Sequence, residues 1–234
     1  YILSDVIGND LRVVASGPTM SPLGTTESAL EILAENDLLN LIPKNIKKFL
    51  MAGNSKRQGK GAVNYLIGDN RESISASAKV LGNDFLTRVE DKPLVGDVNE
   101  AAATIYQKLK QVEVNDKPTA IVWGGETTVK IKGNGQGGRN QELALIVAKL
   151  ANDYPVDKPW AFLSAGTDGR DGPTEAAGAI IDQQTCKRII QSGYKTEDFL
   201  IDNNSNAALK ISQDLVHTGA TGTNVADVQI LVVS

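Results

Sequence analysis

One cysteine, one histidine and few aromatic rings narrow the chemistry open to this 234-residue chain before any motif is read. Cys186 stands alone, so no internal disulfide can form, and a reducing cytoplasm is the expected location. It falls in an expected helix over 185–191 and reads as a packing residue rather than a nucleophile. His217 is the single imidazole. With no G-x-S-x-G elbow beside it, a Ser-His-Asp or Cys-His hydrolase lacks its parts. One His and one Cys are also too few for a zinc centre, so any metal would be a hard cation bound by carboxylates and phosphates. Aromatic residues are 5% of the chain and leave few platforms for stacked bases, and a net charge of −4 disfavours nucleic acid as a partner. No apolar run reaches the roughly 18 residues of a membrane span, so no membrane partner is expected.

Hydrophobic residues at 41% against 22% charged give the composition of a globular protein, long enough for one large domain or two small ones. Residues 1–19 read as a loop carrying Asp5 and Asp10 around Gly8, then a strand over 11–15, then a Ser-Gly-Pro-Thr turn. Two acids beside a glycine suit magnesium or substrate-hydroxyl work, and they equally suit ordinary turn chemistry. Thr26 is placed to cap a helix over 27–35, and Pro43 to start a second one through Met51. The basic, glycine-rich stretch 53–62 lacks the G-K-[ST] that closes a P-loop, so it reads as a surface or interdomain linker.

From Val63 strands and helices alternate. Strands are expected over 64–68, 85–89, 119–123, 160–165 and 228–233. Helices are expected from Asp69 or Asn70 to Leu81, over 98–110, from Arg139, over 185–191 and from 203–205 into Ser212. The strand over 160–165 is apolar except for Ser164 and reads as a buried strand. This alternation indicates an α/β protein with mainly parallel sheets flanked by helices. Residues 1–62 form one part, and 63–234 form a carboxy-terminal α/β domain.

The richest stretch is WGGETTVKIKGNGQGGRNQELAL, residues 123–145. It reads as a Gly-Gly-Glu-Thr-Thr turn, a short strand over 128–131, a loop with Gly133, Gly135, Gly137 and Gly138, and a helix entered at Arg139, Asn140, Gln141. Glycines without a Cβ let backbone N–H groups crowd a ligand, and a helix amino end favours an anion. Arg139 at that end can grip a phosphate or carboxylate in bidentate fashion. Gly133, Gly135 and Gly138 also spell G-x-G-x-x-G, but no ribose-binding acid follows a second strand. A glycine hairpin without a ligand is the plainer alternative. Two further loops sit at expected strand ends. Residues 166–174 hold Thr167, Asp168, Gly169, Asp171 and Thr174. There Asp168 and Asp171 can bind magnesium and the threonines can donate to phosphate, or the run simply caps a short helix at Glu175. Residues 218–224 hold Thr221, Thr223 and Asn224. Hydroxyls, amides, backbone N–H groups and one arginine suffice for phosphoryl transfer, which depends on positioning and charge neutralisation.

SDVIGNDLRVVASGPT, GGETTVKIKGNGQGGRNQELAL, SAGTDGRDGPTEAAGAIID and TGATGTNVADVQILV together resemble the glycerate 2-kinases of the MOFRL type, over nearly the whole chain. The resemblance implies two α/β domains and transfer of phosphate from ATP to the 2-hydroxyl of D-glycerate, with Mg2+. It places Asp5 and Arg139 at the family's catalytic acid and arginine. Gly124, Gly125, Glu126, Thr127, Asp168, Asp171 and Thr223 then line the pocket, with Gly137, Gly138, Asn140, Gln141, Thr167, Gly169, Thr221 and Asn224 as further binding residues. The family's larger amino-terminal Rossmann-like part, with its glycine-serine motif and lysine, is not matched, so residues 1–62 would be the remainder of an incomplete first domain and this chain alone nearly inactive. Ala220 and Ala226 stand where the family often has proline and asparagine. The alternatives are an NAD(P)H-dependent hydroxypyruvate reductase, an older label in this family, and a non-catalytic ligand-binding fragment. The expected partners are glycerate and a nucleotide, and a homodimer is left open.

Overall fold

A computed structural model describes residues 1–53 and 61–234. The expected linker over 53–62 lies almost wholly outside the described residues. The chain divides into two units, Tyr1–Ile2 with Gly8–Ile67, and Leu3–Ile7 with Gly68–Ser234.

In the first unit, helix α1 (Thr26–Glu35) begins at a reciprocal capping box. The Thr25 hydroxyl accepts from the Ser28 N–H and the Ser28 hydroxyl from the Thr25 N–H, so the cap is Thr25 rather than Thr26. Helix α2 (Lys44–Met51) starts after Pro43, as expected. Neither helix has a buried residue, and Phe49 and Leu41 are among the large apolar side chains exposed nearby. The strand expected over 11–15 is absent. A 3-10 turn, Val14–Ser16, occupies that stretch with Ala15 and Ser16 at positive φ. Asp10 is the cause: its carboxylate takes the Arg12 N–H, Nε and Nη2 at 3.0, 2.8 and 2.6 Å, which curls the chain before a strand can start. The Arg12 guanidinium holds that carboxyl at about 2. Asp10 is thus spent on a local turn.

The second unit is built on one mixed sheet of seven strands. In chain order these are β3 (Leu86–Val89), β4 (Leu94–Asp97), β5 (Thr119–Thr128), β6 (Trp160–Gly166), β7 (Gly178–Asp182), β8 (Leu215–Val216) and β9 (Asp227–Val233), following β1 (Ile2–Leu3) and β2 (Leu66–Gly68) of a separate two-stranded pairing. The order is β3-β5-β9-β6-β7-β8, with β4 also on β5. Only β3 and β4 run parallel to β5. The β5–β9, β9–β6, β6–β7 and β7–β8 pairings are antiparallel, so the α/β class holds and the mainly parallel sheet does not. The closing strand β9 inserts between β5 and β6, a non-local pairing that no local pattern announces.

Helices α3 (Asn70–Leu81), α4 (Val98–Gln111), α5 (Arg139–Asp153), α6 (Thr185–Gln191), α7 (Thr196–Ile201) and α8 (Ser205–Ser212) flank this sheet. Asp69 caps α3 by accepting the Glu72 N–H, and Asp97 caps α4 by accepting the Asn99 N–H. Ile105 and Leu109 of α4, Leu143 and Val147 of α5, and Trp123, Phe162 and Leu231 of the sheet form the main core. β9 and β6 alternate buried and half-buried residues, so β6 has one core face rather than the two expected from its apolar run. β4, β7, β8 and α7 escaped the local pattern. β5 does not stop at Trp123, because Gly124 and Gly125 carry it onward: a Cβ at Gly125 would overlap the Leu94 backbone, and its absence lets β4 pair there. No helix starts at Glu175; the chain enters β7 instead. No helix among the described residues is long and apolar enough to cross a membrane.

Gln229 lies fully buried on the core face of β9, between Asp227 and Leu231, and neither its amide nitrogen nor its oxygen has a partner among the described residues. A buried unpaired amide costs free energy that an apolar side chain of the same shape does not. Gln229→Met is therefore expected to stabilise the chain by about 1–2 kcal/mol, read as a higher midpoint in urea with an unchanged slope.

Candidate functional site

The carboxyl ends of β5 and β6 meet the amino end of β9: Gly125 and Gly166 both stand opposite Asp227. Asp227 is fully buried, and its carboxylate takes the Arg139 Nε and Nη2 at 2.6 and 2.9 Å. This fork-to-fork pair fixes the plane of the guanidinium. On its other side Arg139 Nη1 lies 3.4 Å from Glu126 Oε1, with Glu126 nearly half exposed. Burial pulls the Arg139 pKa down, but the Asp227 pair outweighs it, with help from the charges of Glu126 and Asp171, and the net shift is upward. The sequence points to Arg139 and Glu126 but not to Asp227. Its signal was an acid heading the D-x-Q-x-L-x-V face of an apolar strand.

At the amino end of α5 an acid of the chain itself takes two of the free N–H groups. Asp171, 3% exposed, accepts the backbone N–H groups of Asn140 and Gln141 at 3.1 and 2.9 Å and both of their side-chain amides. Gln141 Nε2 also reaches Thr174, Gln141 Oε1 accepts from Asn206, and the Ser164 hydroxyl donates to Asn140 Oδ1 at 2.6 Å. Asn140 and Gln141 are buried, and their side-chain amides are taken up within the chain. The magnesium reading of Asp171 fails for the same reason: both carboxylate oxygens cap the helix. Among the described residues no cluster of three metal-ligating side chains occurs.

The glycine loop is likewise filled by its own chain. Asn203 Oδ1 accepts the N–H groups of Lys132 and Gly133, and Asp202 accepts those of Asn134 and Gly135 through its carboxylate and its carbonyl. Asn204 Oδ1 accepts that of Gln136. A Cβ at Gly137 would overlap the Ser205 hydroxyl, and one at Gly138 the Asp171 carboxylate. The glycines serve close packing on the turn between α7 and α8, and the N–H groups of residues 132–136 are taken up by that turn. Nor do 128–131 form a strand: β5 ends at Thr128 and a loop follows.

Gly124 makes room for Asn70, whose amide donates to the carbonyls of Val225 and Asp227 at 2.8 and 2.9 Å. That clamp straddles Ala226, held at φ 64, and sets the entry to β9. Thr167 braces the same bend, donating to the Ala226 carbonyl and accepting the Val225 N–H, while Thr221 donates to the Thr167 carbonyl. Thr127 is buried. Thr223 and Asn224 are exposed, and Asn224 accepts the Ala226 N–H. Asp5 is exposed on the segment tied by the Ser4 N–H to the Gly68 carbonyl. Beside Gly166, a hollow of about 640 Å³ is lined by Asp168, Gly169, Arg170, Glu175, His217, Gly219 and Ala220. Its size is that of a cofactor site. The outward-facing candidates are therefore Asp5, Glu126, Arg139, Asp168, Arg170 and the 217–224 loop.

Two outcomes follow from the buried carboxylates. Asp171→Ala strands several buried donors and is expected to cost on the order of 3 kcal/mol in urea unfolding. Burial pushes the Asp171 carboxyl up, and burial likewise raises Glu142, whose oxygen accepts from the Asn203 amide. A carboxyl whose folded value lies above its unfolded one favours folding at low pH, and that contribution is lost as pH rises through the folded value. Glu142→Gln keeps the acceptor without the charge, so its gain in Tm over the native chain should be larger at pH 8 than near pH 4.

Residues 119–227 match the MOFRL family, and residues 1–51 match a domain of unknown function, DUF4147. A D-glycerate 2-kinase of Thermotoga maritima is 38% identical over 235 residues, covering 98% of this chain and 55% of that protein. A glycerate kinase of Macaca fascicularis is 31% identical over 281 residues, covering 98% of this chain and 70% of that protein. The crystal structure of glycerate kinase from Thermotoga maritima superposes with a TM-score of 0.84 at 36% identity, over 99% of this chain and 56% of that one. The chain thus spans about half the length of most of these relatives. Similarity that runs through all but the last few per cent of the sequence, in fold as well as in residues, means that this chain belongs to the MOFRL-type glycerate kinase family.

Proposed function

We propose that this chain takes part in ATP-dependent phosphorylation of D-glycerate to 2-phosphoglycerate, as a glycerate 2-kinase. The observation that carries the reading is the Arg139 guanidinium, fixed by buried Asp227 on one edge and turned outward on the other at the joined ends of β5, β6 and β9. Such a preorganised cation stabilises charge without reorganising as it develops. Arg139 would hold the glycerate carboxylate or the transferring phosphoryl group. Asp5 would accept the proton of the 2-hydroxyl as its oxygen bonds to the γ-phosphorus and ADP departs. The hollow beside Asp168 and Arg170 has room for the nucleotide. Mg2+ would arrive on the nucleotide phosphates, with Asp168, half-buried at the hollow, as the carboxylate of the expected pair able to face it. Residues 1–62 are taken as the remainder of the amino-terminal part and 63–234 as the MOFRL-type part, acting in a reducing cytoplasm that suits the lone Cys186. The hydroxypyruvate reductase reading loses its basis, since its G-x-G-x-x-G loop is occupied by Asp202, Asn203 and Asn204.

Ligand protection tests this directly, because a ligand that binds the folded state raises Tm. ATP with D-glycerate is expected to raise the Tm of the native chain, and Arg139→Ala to lose the glycerate part of that rise. NADH with hydroxypyruvate should leave Tm unmoved; protection by NADH alone would reverse the assignment.

A further inference from the structure

The charge around Arg139 is unusual for an arginine that binds an anion. One guanidinium is met by two carboxylates. Asp227 is fully buried and bound at 2.6 and 2.9 Å through Nε and Nη2, and Glu126 is nearly half exposed at 3.4 Å from Nη1. A guanidinium has five N–H donors. Asp227 takes one from Nε and one from Nη2, which leaves the Nη1–Nη2 edge as the face an anion can grip. Glu126 stands at that edge. Its backbone lies in β5, in register with Val95 of β4, so the strand pairing keeps the carboxylate near Arg139. The buried pair with Asp227 already neutralises the arginine. Any anion that arrives is therefore attracted by hydrogen-bond donors and repelled by the Glu126 charge. The repulsion grows with each charge the anion carries, by about 1 kcal/mol per unit charge at 4 Å in water, a factor of about five.

We propose that Glu126 is a charge sieve at the substrate edge of Arg139: it admits singly charged carboxylates and disfavours anions bearing more charge. Resting on the kinase reading, this makes Glu126 the specificity-determining residue that separates D-glycerate, a monoanion, from its multiply charged phosphorylated product, and so promotes product release. Among the described residues the Glu126 side chain makes no other hydrogen bond or ion pair, and Glu126→Gln keeps its shape.

The test compares the native chain with Glu126→Gln and Glu126→Asp by calorimetry at fixed pH and ionic strength. The probes are formate and sulfate as simple anions of one and two charges, and D-glycerate and 2-phosphoglycerate as the substrate pair. The native chain should prefer the less charged member of each pair. Glu126→Gln should shift that preference by roughly fivefold or more toward the more highly charged member, and Glu126→Asp should largely restore it. An unchanged ratio in Glu126→Gln overturns the proposal, as does failure of both simple anions to bind either chain. A sieve seen with formate and sulfate, but without binding of D-glycerate, supports the role of Glu126 while removing glycerate as the substrate.

Discussion

Asp171 is the group on which the rest of the site depends. Its carboxylate, almost wholly withdrawn from water, accepts the N–H groups of Asn140 and Gln141 and both of their side-chain amides. It thereby joins the loop after β6 to the first turn of α5, and it occupies the positive end of that helix with a negative charge. Arg139 is the first residue of the same turn, so the helix start that Asp171 fixes also fixes the position from which Arg139 reaches Asp227. Burial raises the Asp171 carboxyl even against these donors, a sign of how far the desolvation cost extends.

The second dependence is a close approach of backbones. Gly133, Gly135 and Gly137 lie so near the 202–205 turn that side chains would overlap it, and Gly138 lies equally near Asp171. The donors freed by that approach go to Asp202, Asn203 and Asn204. The loop is stiffened from within, and α5 is held against α7 and α8. Polar groups that face outward include Asp5, the outer edge of Arg139, the Glu126 carboxylate and the lining of the hollow between the 168–175 and 217–220 segments. A rigid interior carrying a small outward-facing polar set suits a site in which position and charge do the chemistry.

The two units differ in how far they bury apolar surface. The second has a contiguous core running from Leu94 to Val233, with Trp123, Phe162 and Leu231 essentially inaccessible. In the first, α1 and α2 bury no residue, and Val14 is its one buried hydrophobic side chain among the described residues. By the measure of apolar area removed from water, most of the stabilisation resides in the second unit.

The sequence by itself determined what depends on neighbours a few residues apart. The apolar spacing of α4, the Asp69 cap of α3, the 185–191 helix and the start of α5 at Arg139 all stand where the local pattern puts them. Cap, turn and helix periodicity are short-range properties, written in consecutive residues. The candidate arginine was legible for the same reason: a guanidinium at a helix start after a glycine loop is a local feature. Where a strand is expected over 11–15 a 3-10 turn stands instead, following the turn in which the Asp10 carboxylate binds the Arg12 backbone and guanidinium. Only the tertiary structure decided the rest. It set β9 between β5 and β6, which made the sheet mixed and brought Asp227 under Arg139, 88 residues away in the chain. It turned Asp171 from a metal candidate into a helix cap, and it filled the glycine loop with Asp202, Asn203 and Asn204. Those outcomes rest on which distant groups satisfy which buried donors, and composition and spacing carry no record of that pairing.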